Sequence, residues 1–312
     1  MILLATNRRD VTTDFIVLEL ERRGLEFFRL NTEDIHTYRT TLPDGDPTRL
    51  RLEGKDRTLE LSEVKGAYYR RPLPPDFNDQ SPATASYLSA EWSAILRSIW
   101  NALDGLWLNC PFAILRAEDK PRQLMIARRS GFEVPETIIT SDPDQASRFS
   151  KRGEIVAKPL RQALIEDGKL GKVIFTSRIG ASIEGCADNI ELAPVIFQRE
   201  VRKKSDIRVI VVDDHVFATA IASQEHEETS VDWRKGVRTD LVHRTISLPH
   251  DIERACIAVT AALDLRYSAI DLVEDMDGGY LFLEANPNGQ WAWIEQRTGA
   301  PISAAIVQGL SR

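Results

Sequence analysis

The chain has 312 residues, 43% hydrophobic and 28% charged, with a net charge of −7. This length exceeds a typical single core and predicts two or three domains of a soluble globular protein, while the acidic balance withholds global support from a nucleic-acid partner. Three cysteines, Cys110, Cys186 and Cys256, lie far apart with no C-x-x-C spacing, which argues against a disulfide framework and a Cys-ligated zinc site.

In chain order, MILLAT reads as a short buried strand. It meets charge too soon for a signal peptide, and no membrane span follows, so a cytoplasmic location without a membrane partner is expected. Asp10 to Arg23 predicts an amphipathic helix with Phe15, Leu18 and Leu20 on its apolar side and Gly24 as its stop. LEFFRLN is a second strand, so the opening is βαβ, the mark of a parallel sheet in an α/β (α+β) protein. TRLRLEGKDRTLEL is a polar hairpin turning at Gly54-Lys55-Asp56, and VKGAYYRRP is a strand that runs into a proline stop. Asn78–Asp104 is helical in pattern, and core packing accounts for Trp92, Leu96, Ile99 and Trp100 better than a ligand box does.

A second unit is expected from 111 to 190 and a third from 191 to 312, after a first over 1–110. Lys120 precedes a helix started by Pro121 and ended by Gly131, and another helix is capped at Ser141 or Asp142. GEIVAKPL is a buried strand, and DGKLGKVIFTSRI a hairpin with a glycine-containing tip. The third unit holds the strands PVIFQREV, DIRVIVVDD and HVFATAIASQ, a helix over Asp251–Leu263, the hairpin within Leu265–Trp291 and a closing helix near Ile302–Gly309.

That hairpin carries the most chemistry. Residues two apart on a strand share a face, so Glu284 and Asn286 project together before Pro287 ends the ladder. With a four-residue loop, Met276–Gly279, residue 275 pairs with 280 and Asp271 with Glu284. Three oxygen-bearing side chains on one patch suit Mg²⁺ carrying a nucleotide's phosphates, where the bland alternative is an edge hairpin with solvated acids.

Other residues pose similar pairs of readings. Lys158 emerges from an apolar strand, where a phosphate would satisfy it, or it is a lysine snorkelling from a strand end; Lys120 poses the question less sharply. Main-chain groups of Gln198, Arg199, Glu200 and Val201 can read an adenine edge, or form an ordinary strand end. Arg208 shares a face with Asp206 and can stabilise charge on a transferring phosphoryl group, or the two are a surface pair. Asp232 and Arg234 flank Trp233 in a polar connection, where the arginine can hold a carboxylate bidentately or be a plain loop charge. Gly168 and Gly171 can let a hairpin tip approach phosphates. Neither a histidine metal spacing nor G-x-S-x-G is present, so hydrolase readings lack support.

Taken in order, AEDK, IVAKP, IFQREV, SDIRVIVVDDHVFATAI, AIDLV and FLEANPNGQW resemble the ATP-grasp superfamily. Within it, YYRRP, EDKPRQLMIARRSGFEVPETIITSDP, VDWR and NPNGQWAWIE make the chain most similar to the microviridin-type graspetide maturases. The resemblance implies an ATP-grasp fold behind an N-terminal pre-ATP-grasp domain, with ATP and Mg²⁺ between the last two units. It implies phosphate contacts for Lys120 and Lys158 and an adenine hinge at Gln198 to Val201. It implies Mg²⁺ ligands at Asp271, Glu284 and Asn286, a phosphate-side Arg208, and a substrate-facing D-x-R at Asp232 and Arg234. The hinge departs from its relatives by reading Gln-Arg-Glu rather than Gln-Glu and an aromatic. The reaction implied is ATP-dependent closure of ω-ester or ω-amide rings in a precursor peptide, by way of acyl phosphates on its Asp or Glu side chains. A homodimer is a family-level expectation. Two other functions fit the same motifs: a ligase acting on a small amino acid, peptide or metabolite, and a non-catalytic ATP-binding regulator, whose expected mark is loss of the metal ligands.

Overall fold

The computed structural model describes the whole chain apart from residues 162–163, 168–169 and 236–239. The chain opens with a parallel sheet in which strand Ile2–Thr6 lies between Phe27–Asn31 and Gly66–Tyr69. Helix Val11–Arg22, capped by Asp10, crosses between the first two strands. It buries Ile16 and Leu20, whereas Leu18 is exposed. The expected apolar side was misaligned, because Leu18 stands about 200° round the helix from both. Strands 39–41, 51–53 and 58–60 form a small antiparallel sheet turning at 54–57. Helix Pro82–Ala102 lays Leu96, Ile99 and Trp100 into the core beneath, where Trp100 packs edge-on against Tyr69 and Trp107. These aromatics are core, as expected.

The middle of the chain forms an antiparallel sheet with strand order 177–179, 155–159, 195–199, 137–140. Strand Val195–Arg199 is hydrogen-bonded on both sides within it. The passage to the next sheet therefore falls after Arg199, later than the expected boundary at 190. We keep a three-unit division as a proposal, with its second crossing at 200–202. A separate hairpin pairs Leu164–Asp167 with Leu170–Val173. Its Gly168 lies outside the described residues, and Gly171 pairs with Glu166 inside the ladder rather than at the tip.

The last sheet is antiparallel, in the order 243–246, 215–221, 203–212, 267–275, 280–286. Its central strand, Lys203–Val212, is covered on both faces. Ile207, Val209 and Val211 pack with Leu124, Ala127, Cys256 and Val259. Ile210 and Val212 pack with Ile302, Ile306 and Leu310 and with Leu4, Ile16 and Leu20 of the N-terminal unit. Alternation puts Asp206 and Arg208 on the second face, so both charges are buried and must find partners. Three short helices among the described residues, Pro111–Ala117, Ala187–Leu192 and Ala292–Thr298, were not anticipated. Pro111–Ala117 starts on its proline, and Ala292–Thr298 ends at Gly299, whose φ of 71° closes the helix as only a glycine does readily. Among the described residues, no helix is long and apolar enough to cross a membrane.

Candidate active site

Asp271 pairs with Glu284 across strands Tyr267–Asp275 and Tyr280–Asn286, as the sequence predicts, but by a different route. Next to the turn Glu274 faces Tyr280, one residue short of the expected pairing of 275 with 280. A bulge that leaves Leu283 unpaired restores Asp271 to Glu284. Asn286 Nδ2 lies 3.3 Å from Asp271 Oδ2 and 3.4 Å from Glu284 Oε1. The three oxygen-bearing side chains thus form one patch.

Four cations converge on it. Lys120 Nζ lies 3.3 Å from Glu284 Oε2 and also donates to the Pro159 carbonyl. Its position follows from its helix, Lys120–Arg129, whose buried Gln123 both donates to the Ala285 carbonyl and accepts from the Ala285 N–H. That pair of bonds locks the helix start to the strand bearing Glu284. Arg208 Nη1 donates to Asp271 Oδ1 at 2.7 Å and Nη2 to the Gln290 carbonyl. Gly289 makes room for it: a Cβ there would come within 2.3 Å of Ala269 Cβ and 2.8 Å of Arg208 Nη2. Arg234 Nη1 lies 4.0 Å from Glu284 Oε1. Lys158 donates to Gln198 Oε1 at 2.7 Å. Burial pulls the Lys158 pKa down to about 8, only partly offset by the charge of Glu284. Burial would push Glu284 up, but Lys120, Arg234 and Lys158 together outweigh it and hold the carboxyl well below the usual range. Asp271 goes the other way, because burial and the charge of Glu284 exceed what Arg208 returns.

The hinge is read differently once its partners are seen. The Gln198 side chain is buried between Lys158 and Thr137, to whose Oγ1 it donates. The Arg199 guanidinium donates to the Gly153 and Phe149 carbonyls and packs over the Phe149 ring. Glu200 is taken by Arg178, whose Nε and Nη2 both donate to it. The N–H groups of Arg199 and Glu200 donate to the Glu136 and Glu154 carbonyls. Among the described residues the Val201 N–H has no such partner.

Asp232 lines the cleft but is buried, and both its oxygens are occupied, Oδ1 by Arg234 Nε and Oδ2 by Arg234 Nη2 and the Thr176 N–H. Burial would raise its carboxyl, but these bonds hold it below the ordinary value. Asp232 positions Arg234, whose own side chain is half exposed.

These side chains line or support one open cleft. Lys120, Lys158, Gln198, Arg199, Glu200, Val201, Asp232, Arg234, Asp271 and Glu284 line it. Arg208 and Asn286 stand behind it, in contact with Asp271. Sequence reasoning missed Lys203, which lines the cleft and donates to Asp206 Oδ1 and the Val231 carbonyl. Within RKKSD it reads as a solvated charge, and only the bulge between Lys203 and Ser205 turns it inward. Burial raises the Asp206 carboxyl against the pull of Lys203. Asp206 therefore pairs with Lys203 rather than Arg208.

The patch fits a hard divalent cation. Asp271 keeps Oδ2 free of Arg208, Glu284 remains ionised, and a half-turn of the Asn286 amide presents its oxygen beside them. Among the described residues no group of three or more His, Cys, Asp or Glu side chains offers a protein-only cage. That suits a cation completed by phosphate oxygens and water.

The model of the RimK-like ATP-grasp domain matches residues 117–310, well over half of the chain. The chain belongs to the RimK-like ATP-grasp family. Among curated proteins it is 27% identical over 248 residues to a probable alpha-L-glutamate ligase of Enterobacter, covering 78% of this chain and 80% of that one. The ribosomal protein bS6–L-glutamate ligase of Salmonella newport matches with the same identity and coverage. Solved ATP-grasp structures match further. The Chryseobacterium gregarium RiPP-associated ATP-grasp ligase, in complex with ADP and a leader and core peptide, has a TM-score of 0.89 at 27% identity, covering 99% of this chain and 96% of that one. The macrocyclase MdnC of Microcystis aeruginosa, bound with precursor peptide MdnA, has a TM-score of 0.87 at 28% identity, with 99% of both chains covered. The N-terminal 116 residues, outside the RimK-like ATP-grasp match, are thus included in the likeness to the peptide-modifying members.

Proposed function

We propose that this ATP-grasp ligase uses ATP and Mg²⁺ to activate Asp or Glu side chains of a ribosomally made precursor peptide as acyl phosphates, and closes ω-ester or ω-amide rings. The observation that carries the chemistry is the convergence of Lys120, Lys158, Arg208 and Arg234 on the Asp271–Glu284–Asn286 patch. The likeness to peptide-bound ligases over 99% of the chain supports the peptide substrate.

In this reading the Val201 main chain and Glu200 face the nucleoside, and Lys158 and Lys120 hold its phosphates. Asp271, Glu284 and Asn286 hold Mg²⁺, which when bound supplies charge neutralisation between phosphate oxygens. Arg234, fixed by Asp232, orients the peptide carboxylate for attack on the γ-phosphorus, and Arg208 stabilises the charge that develops beside Asp271. A hydroxyl or amine of the same peptide then displaces phosphate from the acyl carbon.

The curated glutamate ligases favour a second reading, transfer of a free glutamate onto a protein or peptide. One experiment separates the two. Peptides encoded beside the gene, with repeated Thr and Glu or Asp near their ends, are incubated with the protein, ATP and Mg²⁺ and weighed. Ring closure removes one water per event and needs no added amino acid; a gain of glutamyl mass that requires glutamate establishes the second reading instead.

A further inference from the structure

The loop Asn286-Pro287-Asn288-Gly289-Gln290 carries a part of the site at each end. Its first residue is the amide of the metal patch, and its last supplies the carbonyl that accepts from Arg208 Nη2. Between them Pro287 and Gly289 are buried, and the Gly289 N–H donates to the Asn286 carbonyl. Loop carbonyls ordinarily face water, and a buried one needs a donor. Here four consecutive carbonyls each receive a side-chain donor. Asn109 Nδ2 donates to Pro287 at 3.0 Å, Arg70 Nη1 to Asn288 at 3.2 Å and Gly289 at 3.1 Å, and Arg208 to Gln290 at 3.3 Å. Two of these three side chains belong to residues 1–110. The Tyr267 hydroxyl gives Gly289 a second donor.

Arg70 and Asn109 are themselves held. Arg70, from the YYRRP segment, is 1% exposed; its Nε lies 3.3 Å from Asp10 Oδ2, and its Nη2 donates to the Thr12 hydroxyl. Asp10 is fixed in turn by the Thr13 hydroxyl and the Thr12 N–H at the start of helix Val11–Arg22. The buried Asn109 accepts from the Arg266 and Tyr267 N–H groups through Oδ1 and donates to the Tyr267 carbonyl through Nδ2. One amide therefore ties the start of strand Tyr267–Asp275 to the residue after Asn286. A buried ion pair such as Asp10–Arg70 is poor support for a fold, since apolar side chains of similar volume would often do as well. What the guanidinium adds is direction: a rigid fork that joins helix Val11–Arg22 to the Asn288 and Gly289 carbonyls.

We infer that Arg70 is a positioning residue for the metal–phosphate site: through the Asn288 and Gly289 carbonyls it sets the loop that presents Asn286 to the patch and seats Arg208 on Asp271. The inference rests on the reading of Asp271, Glu284 and Asn286 as the Mg²⁺ ligands. It gives residues 1–110 a part in the nucleotide chemistry, although none of them lines the cleft.

The test measures ADP affinity of the full chain by titration calorimetry, with and without Mg²⁺. In the wild type Mg²⁺ should tighten ADP binding. Arg70→Met should lose at least about tenfold of that gain and keep its metal-free ADP affinity within about twofold. Arg70→Lys, which restores the charge and a donor, should recover part of the gain. Arg70→Met also leaves the Asp10 carboxylate buried without its cation, so the double variant Asp10→Asn/Arg70→Met removes both charges. It should fold at least as stably as the single variant and show the same loss of the Mg²⁺ gain. A full Mg²⁺ gain in the double variant, or an equal loss of ADP affinity with and without Mg²⁺, overturns the role whatever happens to Tm. A wild-type chain whose ADP affinity is indifferent to Mg²⁺ overturns the metal assignment itself.

Discussion

Asp271 and Glu284 face each other across adjacent strands, and their surroundings drive their acidities in opposite directions. Glu284 meets Lys120, Arg234 and Lys158 and stays ionised. Asp271 has Arg208 against burial and the charge of Glu284, and is pushed up. A divalent cation between them would favour the ionised form of both. Replacing Glu284 and Asn286 together by Ala should therefore lower ADP formation at least about a hundredfold. The fold should remain, because the cores under this sheet are made by other residues. Turnover with Mg²⁺ and circular dichroism on the same samples check this, and undiminished turnover would remove the metal assignment.

Lys158 gives the site a pH dependence. Its folded-state pKa is depressed to about 8 from an ordinary 10.5. The unfolded chain therefore binds more protons than the folded one between these values, and Lys158 contributes stability that grows as pH rises through this window. Nucleotide binding has the opposite sign, because phosphates need the charged lysine. Apparent ATP affinity should fall above pH 8 with a slope approaching about tenfold per unit. Lys158→Met should bind ATP weakly and flatten the profile. Titration calorimetry from pH 6.5 to 9.5 reads both effects.

Gly289→Ala tests the packing behind the patch. The added methyl meets Ala269 Cβ and Arg208 Nη2, both too close to accept it. Overpacking should cost about 1–3 kcal/mol and dislodge Arg208 from Asp271. Denaturant melts should show the loss, with kcat reduced more than ATP affinity. A variant as stable and active as the parent would mean that the loop relaxes freely.

Arg234 and Asp232 separate substrate from nucleotide. Arg234→Ala should raise KM for the peptide far more than KM for ATP. Asp232→Asn should give a smaller defect of the same kind, since it only loosens the arginine. Steady-state kinetics with each substrate varied decides it, and equal losses for both would reject a substrate role for Arg234.

Much of this site was legible because strand periodicity and proline stops are local. The alternation that pairs Glu284 with Asn286, and Val156 with Lys158, survives in the fold. The shape of the turn did not matter in the end, because the bulge at Leu283 recovered the register that a four-residue loop would have set. What could not be read were long-range commitments. Nothing in Gln-Arg-Glu says that Arg199 is drawn off by carbonyls near residue 150, or that Glu200 is held by Arg178. Gln123 and Lys203 look like surface residues until the sheet they dock against is in place. Leu18 falls on the solvent side of its helix, because Ile16 and Leu20, two residues to either side of it, face the core together with Phe15.

The central claim is that a peptide carboxylate is activated by phosphoryl transfer at the Asp271–Glu284–Asn286 patch. Isotope tracing tests it most directly. A cognate precursor carrying ¹⁸O in its Asp and Glu side-chain carboxylates is modified with unlabelled ATP in unlabelled water, and the released inorganic phosphate is analysed by mass spectrometry. Attack by the carboxylate and later loss of phosphate move one ¹⁸O into phosphate for every ring closed. Rings that form while the phosphate stays unlabelled would contradict the account.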